Sequence, residues 1–78
     1  SAQDILITTQ LRTAMIFNKK IKSSNYTLET INKKIYIFGI AFDEDEKKEV
    51  IKEAKSIYNV EQIVPTIYLV SELSRHKN

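Results

Sequence analysis

Apolar residues change their spacing several times along this chain, and each change marks an element. Ile7, Leu11, Ala14 and Met15 stand at i, i+4, i+7 and i+8, the spacing of one buried helical face. With Asp4 as N-cap this predicts helix one over residues 5–18, and Asn18-Lys19-Lys20 supplies a stop with cations at the negative end of the dipole. Residues 25–31 then alternate, Tyr26 and Leu28 against Thr27 and Glu29, as a half-buried strand does. Strand two, residues 35–42, is apolar on both faces: Ile35, Ile37 and Gly39 form one set, and Tyr36, Phe38, Ile40 and Phe42 the other. Such a strand is covered twice or displays an aromatic patch. Helical spacing returns at Val50, Ile51, Ala54 and Ile57, with Asp43 and Glu46 placed as a capping box and Asn59 as C-cap. Residues 62–70 form strand three, with Ile63, Ile67 and Leu69 toward the core and Pro65 implying an edge position.

The order helix, strand, strand, helix, strand predicts an α+β fold, αββαβ. It is a three-stranded mixed sheet with both helices packed on one face, since Ile35, Ile37, Ile67 and Leu69 need one shared cover. The brief polar break at Asn32-Lys33-Lys34 argues for an antiparallel hairpin. Gly39, the single glycine, interrupts an apolar run where glycine weakens a strand unless something packs close, and a helix is expected above it. Residues 4–70 make up the domain, and 71–78 read as a frayed tail.

Composition narrows the class. With 42% apolar and 28% charged residues the chain is globular, and without cysteine it forms no disulfide or thiolate metal site. No apolar stretch approaches a membrane span. The net charge of +2 is uneven: residues 1–40 carry +4, from Arg12, Lys19, Lys20, Lys22, Lys33 and Lys34 against Asp4 and Glu29, while residues 41–60 carry −2. The front half therefore favours anions.

Catalytic chemistry is hard to place. His76, the single histidine, falls in the polar tail; Thr8-Thr9 has no base in the pattern; and the acids at 43–46 lack calcium-loop spacing and suit a helix start. No enzyme activity, cofactor or metal is expected. Tyr36 and Phe38 are not surrounded by a ribonucleoprotein motif, so nucleic acid is not an expected partner. The apolar residues of helix one outside its buried stripe are more telling, because Leu6, Ile16 and Phe17 beside lysines make a wedge suited to a bilayer interface or to another domain.

Asp4-Ile5-Leu6-Ile7-Thr8-Thr9-Gln10-Leu11-Arg12, Lys22-Ser23-Ser24-Asn25, Ile35-Tyr36-Ile37-Phe38-Gly39 and residues 60–69, taken with the element order, resemble the BON domain. Within that family the likeness is to the second copy in dual-BON, division-site lipoproteins of the outer membrane. The resemblance implies a non-enzymatic module of the Gram-negative envelope that binds anionic phospholipid and supports envelope integrity. It implies a periplasmic location, with attachment to the outer membrane through a segment absent from this chain. The alternative is a protein-interaction module packing on a sister BON domain or envelope partner. Candidate membrane or partner residues are Leu6, Thr9, Arg12, Thr13, Ile16, Phe17, Lys19 and Lys20; Tyr36, Phe38, Ile40 and Tyr68 are candidates for docking on the sheet face; Gly39, Asp43 and Asn59 are structural. The family's Asn-Gly hairpin turn is Asn32-Lys33 here, which predicts a wider loop; its glycine before the last strand is Asn59, and its early helix-one aromatic is Leu6.

Overall fold

The computed structural model describes residues 1–73. Helix α1 spans Ala2–Phe17, a 3₁₀ turn covers Ser23–Asn25, strands β1 and β2 are Tyr26–Ile31 and Lys34–Ala41, helix α2 is Glu44–Lys55, strand β3 is Gln62–Leu69, and a final helical turn α3 is Val70–Leu73. The sheet order is β1-β2-β3, antiparallel between β1 and β2 and parallel between β2 and β3. This is the mixed αββαβ arrangement that the periodicities predict. Ile7, Leu11 and Met15 of α1 and Val50 and Ala54 of α2 are fully buried in one cluster with Ile35, Ile37, Ala41 and Ile67 of the sheet. Both helices therefore cover the same face. Phe38, Ile40 and Tyr68 point the other way and stay exposed.

Asp4 and Glu46, which sequence reasoning takes as parts of helix caps, bind main-chain groups outside their own helices. Ser1, not Asp4, caps α1, and Asp4 lies in its first turn. The Asp4 carboxylate accepts the main-chain N–H groups of Asn32 and Lys33 at 2.9 and 2.8 Å. These residues form a two-residue turn with φ of 50° and 67°. The hairpin is thus tight rather than widened. A non-glycine residue in the left-handed region is unfavourable by itself, and here a carboxylate anchors both donors of the turn. Asp43 caps α2 as expected, its Oδ1 accepting Glu46 N–H at 3.0 Å. The Glu46 carboxylate is buried and accepts from Phe42 N at 2.8 Å, Lys22 N at 3.0 Å and the Tyr26 hydroxyl at 2.9 Å.

Gly39 is close-packed, but under an aromatic ring rather than under a helix. It pairs with Tyr26 across the β1–β2 ladder. A Cβ built on Gly39 would overlap Tyr26 Cδ1 and stand 2.5 Å from the Asn25 carbonyl oxygen. An aromatic ring laid over a cross-strand glycine shields bare backbone that no side chain covers. Burial, the hydrogen bond to Glu46 and the charge of Glu46 push the Tyr26 phenol well above its usual range, so it remains a donor.

Three further differences have local causes. Helix α2 stops at Lys55 with Ser56 as its C-cap, because the Ser56 hydroxyl and N–H both turn back to the Glu53 carbonyl. Asn59 does adopt positive φ, 72°, but in the turn beyond the helix. The expected tail begins as α3, where Glu72 Oε1 accepts Leu69 N–H at 2.7 Å; His76 and residues 74–78 lie outside the described residues.

Gly39→Ala should lower unfolding free energy by about 1 to 3 kcal/mol through overpacking, read from urea denaturation. Substituting Tyr26→Leu alongside should recover only part of the loss, because the Asn25 carbonyl is backbone and cannot step aside. Main-chain hydrogen bonds from Lys33, the largest cause, and from Asn32 hold the Asp4 carboxyl below its ordinary value. Its contribution is complete above that ordinary value, near pH 4, and is lost as pH falls through the lowered folded value. Asp4→Asn should therefore be less stable than the parent at neutral pH, with the difference shrinking through that acid window.

Candidate functional site

The two helices lie on one sheet yet present opposite surfaces to their surroundings. Every exposed position of α2 is charged: Glu44, Asp45, Lys48, Lys52 and Lys55. No exposed position of α1 is charged. They are Ala2, Ile5, Leu6, Thr9, Gln10, Thr13, Ile16 and Phe17. Because Ile7, Leu11 and Met15 face the sheet, these residues form one strip on the far side of the helix. Exposures of 68% for Ile5, 59% for Ile16 and 79% for Phe17 show that no described residue covers it.

The predicted residues Leu6, Thr9, Thr13, Ile16 and Phe17 are thus together on this strip. Arg12 is not. It sits at the margin of the strip, and its guanidinium donates to the main-chain carbonyls of Ser23 at 2.6 Å and Tyr26 at 2.8 Å. That pair of bonds ties α1 to the connection into β1. Lys19 and Lys20 follow the C-terminal end of the strip and are exposed, with Lys20 Nζ 4.0 Å from Glu49. Asn18 Nδ2 bridges the helices through Glu49 and Glu53 at 2.9 and 2.7 Å. The amide of Asn18, then Lys52, hold the Glu49 carboxyl below its ordinary value. Lys33 and Lys34 do not join this group. The bonds to Asp4 put the hairpin at the opposite end of α1, so basic residues stand beyond both ends of the strip. Ile5, outside the predicted set, belongs to the strip; its signal is the i, i+11 spacing to Ile16, which returns to the same side of a helix.

A second uncharged area lies on the open sheet face. Phe38, Ile40 and Tyr68 are exposed there, Tyr36 is half-buried, and the ladder sets Ile40 beside Tyr68. Among the described residues, charge enters with Glu29 beside Tyr36 and with Lys34 at the hairpin end. A cleft of about 580 Å³ at the start of α2 is lined by Lys20, Phe42, Asp43, Asp45, Glu46, Lys48 and Glu49. Its buried acid, Glu46, is occupied by the three donors already named. Among the described residues no group of three His, Cys, Asp or Glu side chains could hold a metal ion, and no helix is long and apolar enough to cross a membrane.

Arg12→Gln should destabilise the fold by roughly 1 to 3 kcal/mol, since charged donors to two carbonyls are lost. Thr13→Ala, on the strip, should not lower the urea midpoint, since Ala has the higher helix propensity. Equal midpoints for the Arg12 variant and the parent would remove Arg12 from the scaffold.

No family model matches the chain. A protein of Anaplasma centrale described as "Uncharacterized protein in gshII 5'region" is 32% identical over 68 residues, covering 87% of this chain and 45% of that protein. The chain thus spans about half the length of the curated relative that it matches, and is similar to it along most of its own sequence.

Proposed function

We propose that this chain is a non-enzymatic, BON-like envelope module that docks on anionic phospholipid through the outward strip of α1. The observation that carries this reading is the uncharged strip holding Ile5, Leu6, Ile16 and Phe17, with lysines beyond its ends. A helix of 16 residues presents a line about 24 Å long. Held by its inner stripe, it can lie only flat on a surface, with apolar tips at the boundary of headgroups and chains. Thr9 and Thr13, between the apolar tips, offer hydroxyls to headgroup oxygens. Each lysine near an anionic surface contributes about 1 kcal/mol, screened by salt. Four shallow apolar side chains add only part of the roughly 1.5 to 3 kcal/mol of full burial each, so the affinity is modest. In the envelope such a module belongs in the periplasm, at the inner surface of the outer membrane.

A second reading rests on the open sheet face, where Phe38, Ile40 and Tyr68 would pack on a sister domain or protein partner without lipid contact. One experiment separates the two. Vesicles containing phosphatidylglycerol should shift amides of α1 and residues 18–22, with binding weakened by salt and weaker still on phosphatidylcholine. Ile16→Ser with Phe17→Ser should reduce affinity roughly tenfold. Equal binding to neutral vesicles, or shifts confined to α2, would defeat docking on anionic lipid through α1, and unshifted spectra would leave the protein-partner reading in its place.

A further inference from the structure

We infer that copies of this chain stack head to tail, the outward strip of α1 on one copy lying across the open sheet face of the next. The inference stands apart from lipid docking, although both use the α1 strip. The two uncharged surfaces lie on opposite sides of a molecule two layers thick, because α1 turns Ile7, Leu11 and Met15 toward the sheet, and β2 turns Phe38 and Ile40 away from α1.

They match in charge. The strip carries no charge, and among the described residues the sheet face carries Glu29 beside Tyr36 and Lys34 at the hairpin end, so a helix crossing Phe38, Ile40 and Tyr68 at the other end of the face buries no unpaired charge. Helix on sheet is also the packing used within the molecule, where α1 lies against β1, and α2 against β2 and β3, on the other face.

Assembly through strand edges is hindered at single positions of both edges, which favours the faces. At the β1 edge the Tyr26 carbonyl is taken by Arg12. At the β3 edge Pro65 has no N–H to offer, and Glu72 takes the N–H of Leu69. A contact in which one copy's α1 meets another's sheet is heterologous, so each added copy exposes the same two faces again. Its footprint, about one helix width by 24 Å, falls below that of a stable complex. The contact is therefore weak in dilute solution and strengthens where copies are concentrated or tethered.

Sedimentation equilibrium without lipid, from micromolar to millimolar protein, tests this with Ile16→Lys and Phe38→Lys, both at exposed positions and checked for fold by circular dichroism. The parent mass should climb past two chains without levelling, and each variant alone should remain a monomer. An equimolar mixture of the two should level at two chains, because one supplies an intact sheet face and the other an intact strip. If either variant unfolds, Ile5→Lys or Tyr68→Lys replaces it in the same design. A parent that stays monomeric, a parent that levels at two chains, or a mixture that fails to associate would each overturn the inference. None of these outcomes bears on vesicle binding.

Discussion

Two buried carboxylates at opposite ends of the sheet hold the elements in their places. A buried charge is costly unless hydrogen bonds replace its water, and each of these acids receives at least one main-chain N–H from a segment far away in sequence. Asp4 fixes the β1–β2 turn against the start of α1. Glu46 gathers the end of β2, the approach to β1 and the Tyr26 hydroxyl at the start of α2. The Glu46 bond also sets the Tyr26 ring, and the ring lies over Gly39. One carboxylate is thereby coupled to the β1–β2 register, because a shift of one residue would bring a side chain under that ring. For a chain of 78 residues with a small core, such polar anchoring supplies specificity that apolar burial alone gives poorly.

Features whose partners are near in sequence were legible beforehand. The stripe Ile7, Leu11, Met15 and the Asp43–Glu46 cap each lie within a few residues, and the structure keeps both. Long-range partners left little trace. Asp4 looks like an N-cap because acids are common there, while its acceptor role depends on a turn 28 residues away. Lys33 looks unsuited to a tight turn until that carboxylate is in place. Gly39 announces a close approach, but the identity of the approaching group follows from strand register, which alternation alone does not fix. Arg12 looks like a surface cation because its acceptors are main-chain carbonyls, which have no sequence signature. The outward strip was visible because Ile5, Leu6, Ile16 and Phe17 fall outside the buried stripe, a surplus that amphipathic spacing does not explain.

That surplus runs against local stability. Exposed helix positions are best filled by Lys, Glu, Arg or Ala, whereas Ile and Thr lose side-chain freedom against the preceding turn. Helix α2 follows the favourable rule and adds a Glu49–Lys52 ion pair. Helix α1 places Ile5, Thr9, Thr13 and Ile16 outward, forgoing both propensity and solubility. The fold needs none of these side chains, since the core closes without them. A surface that weakens the isolated helix without serving the core fits one that is covered when the protein works.

Lipid docking and stacking draw on the same strip, so they are exclusive for any one copy and compatible for a row of copies. In a row, every α1 strip but one is covered by a sheet face, and the free strip lies at one end. A membrane would then hold the row by its terminal copy and leave an open sheet face at the far end. Confinement to a surface raises the local concentration of copies, yet it also sequesters the strips through which they stack. Crowding therefore favours stacking only while unattached copies remain, and lipid area would limit how far such rows extend.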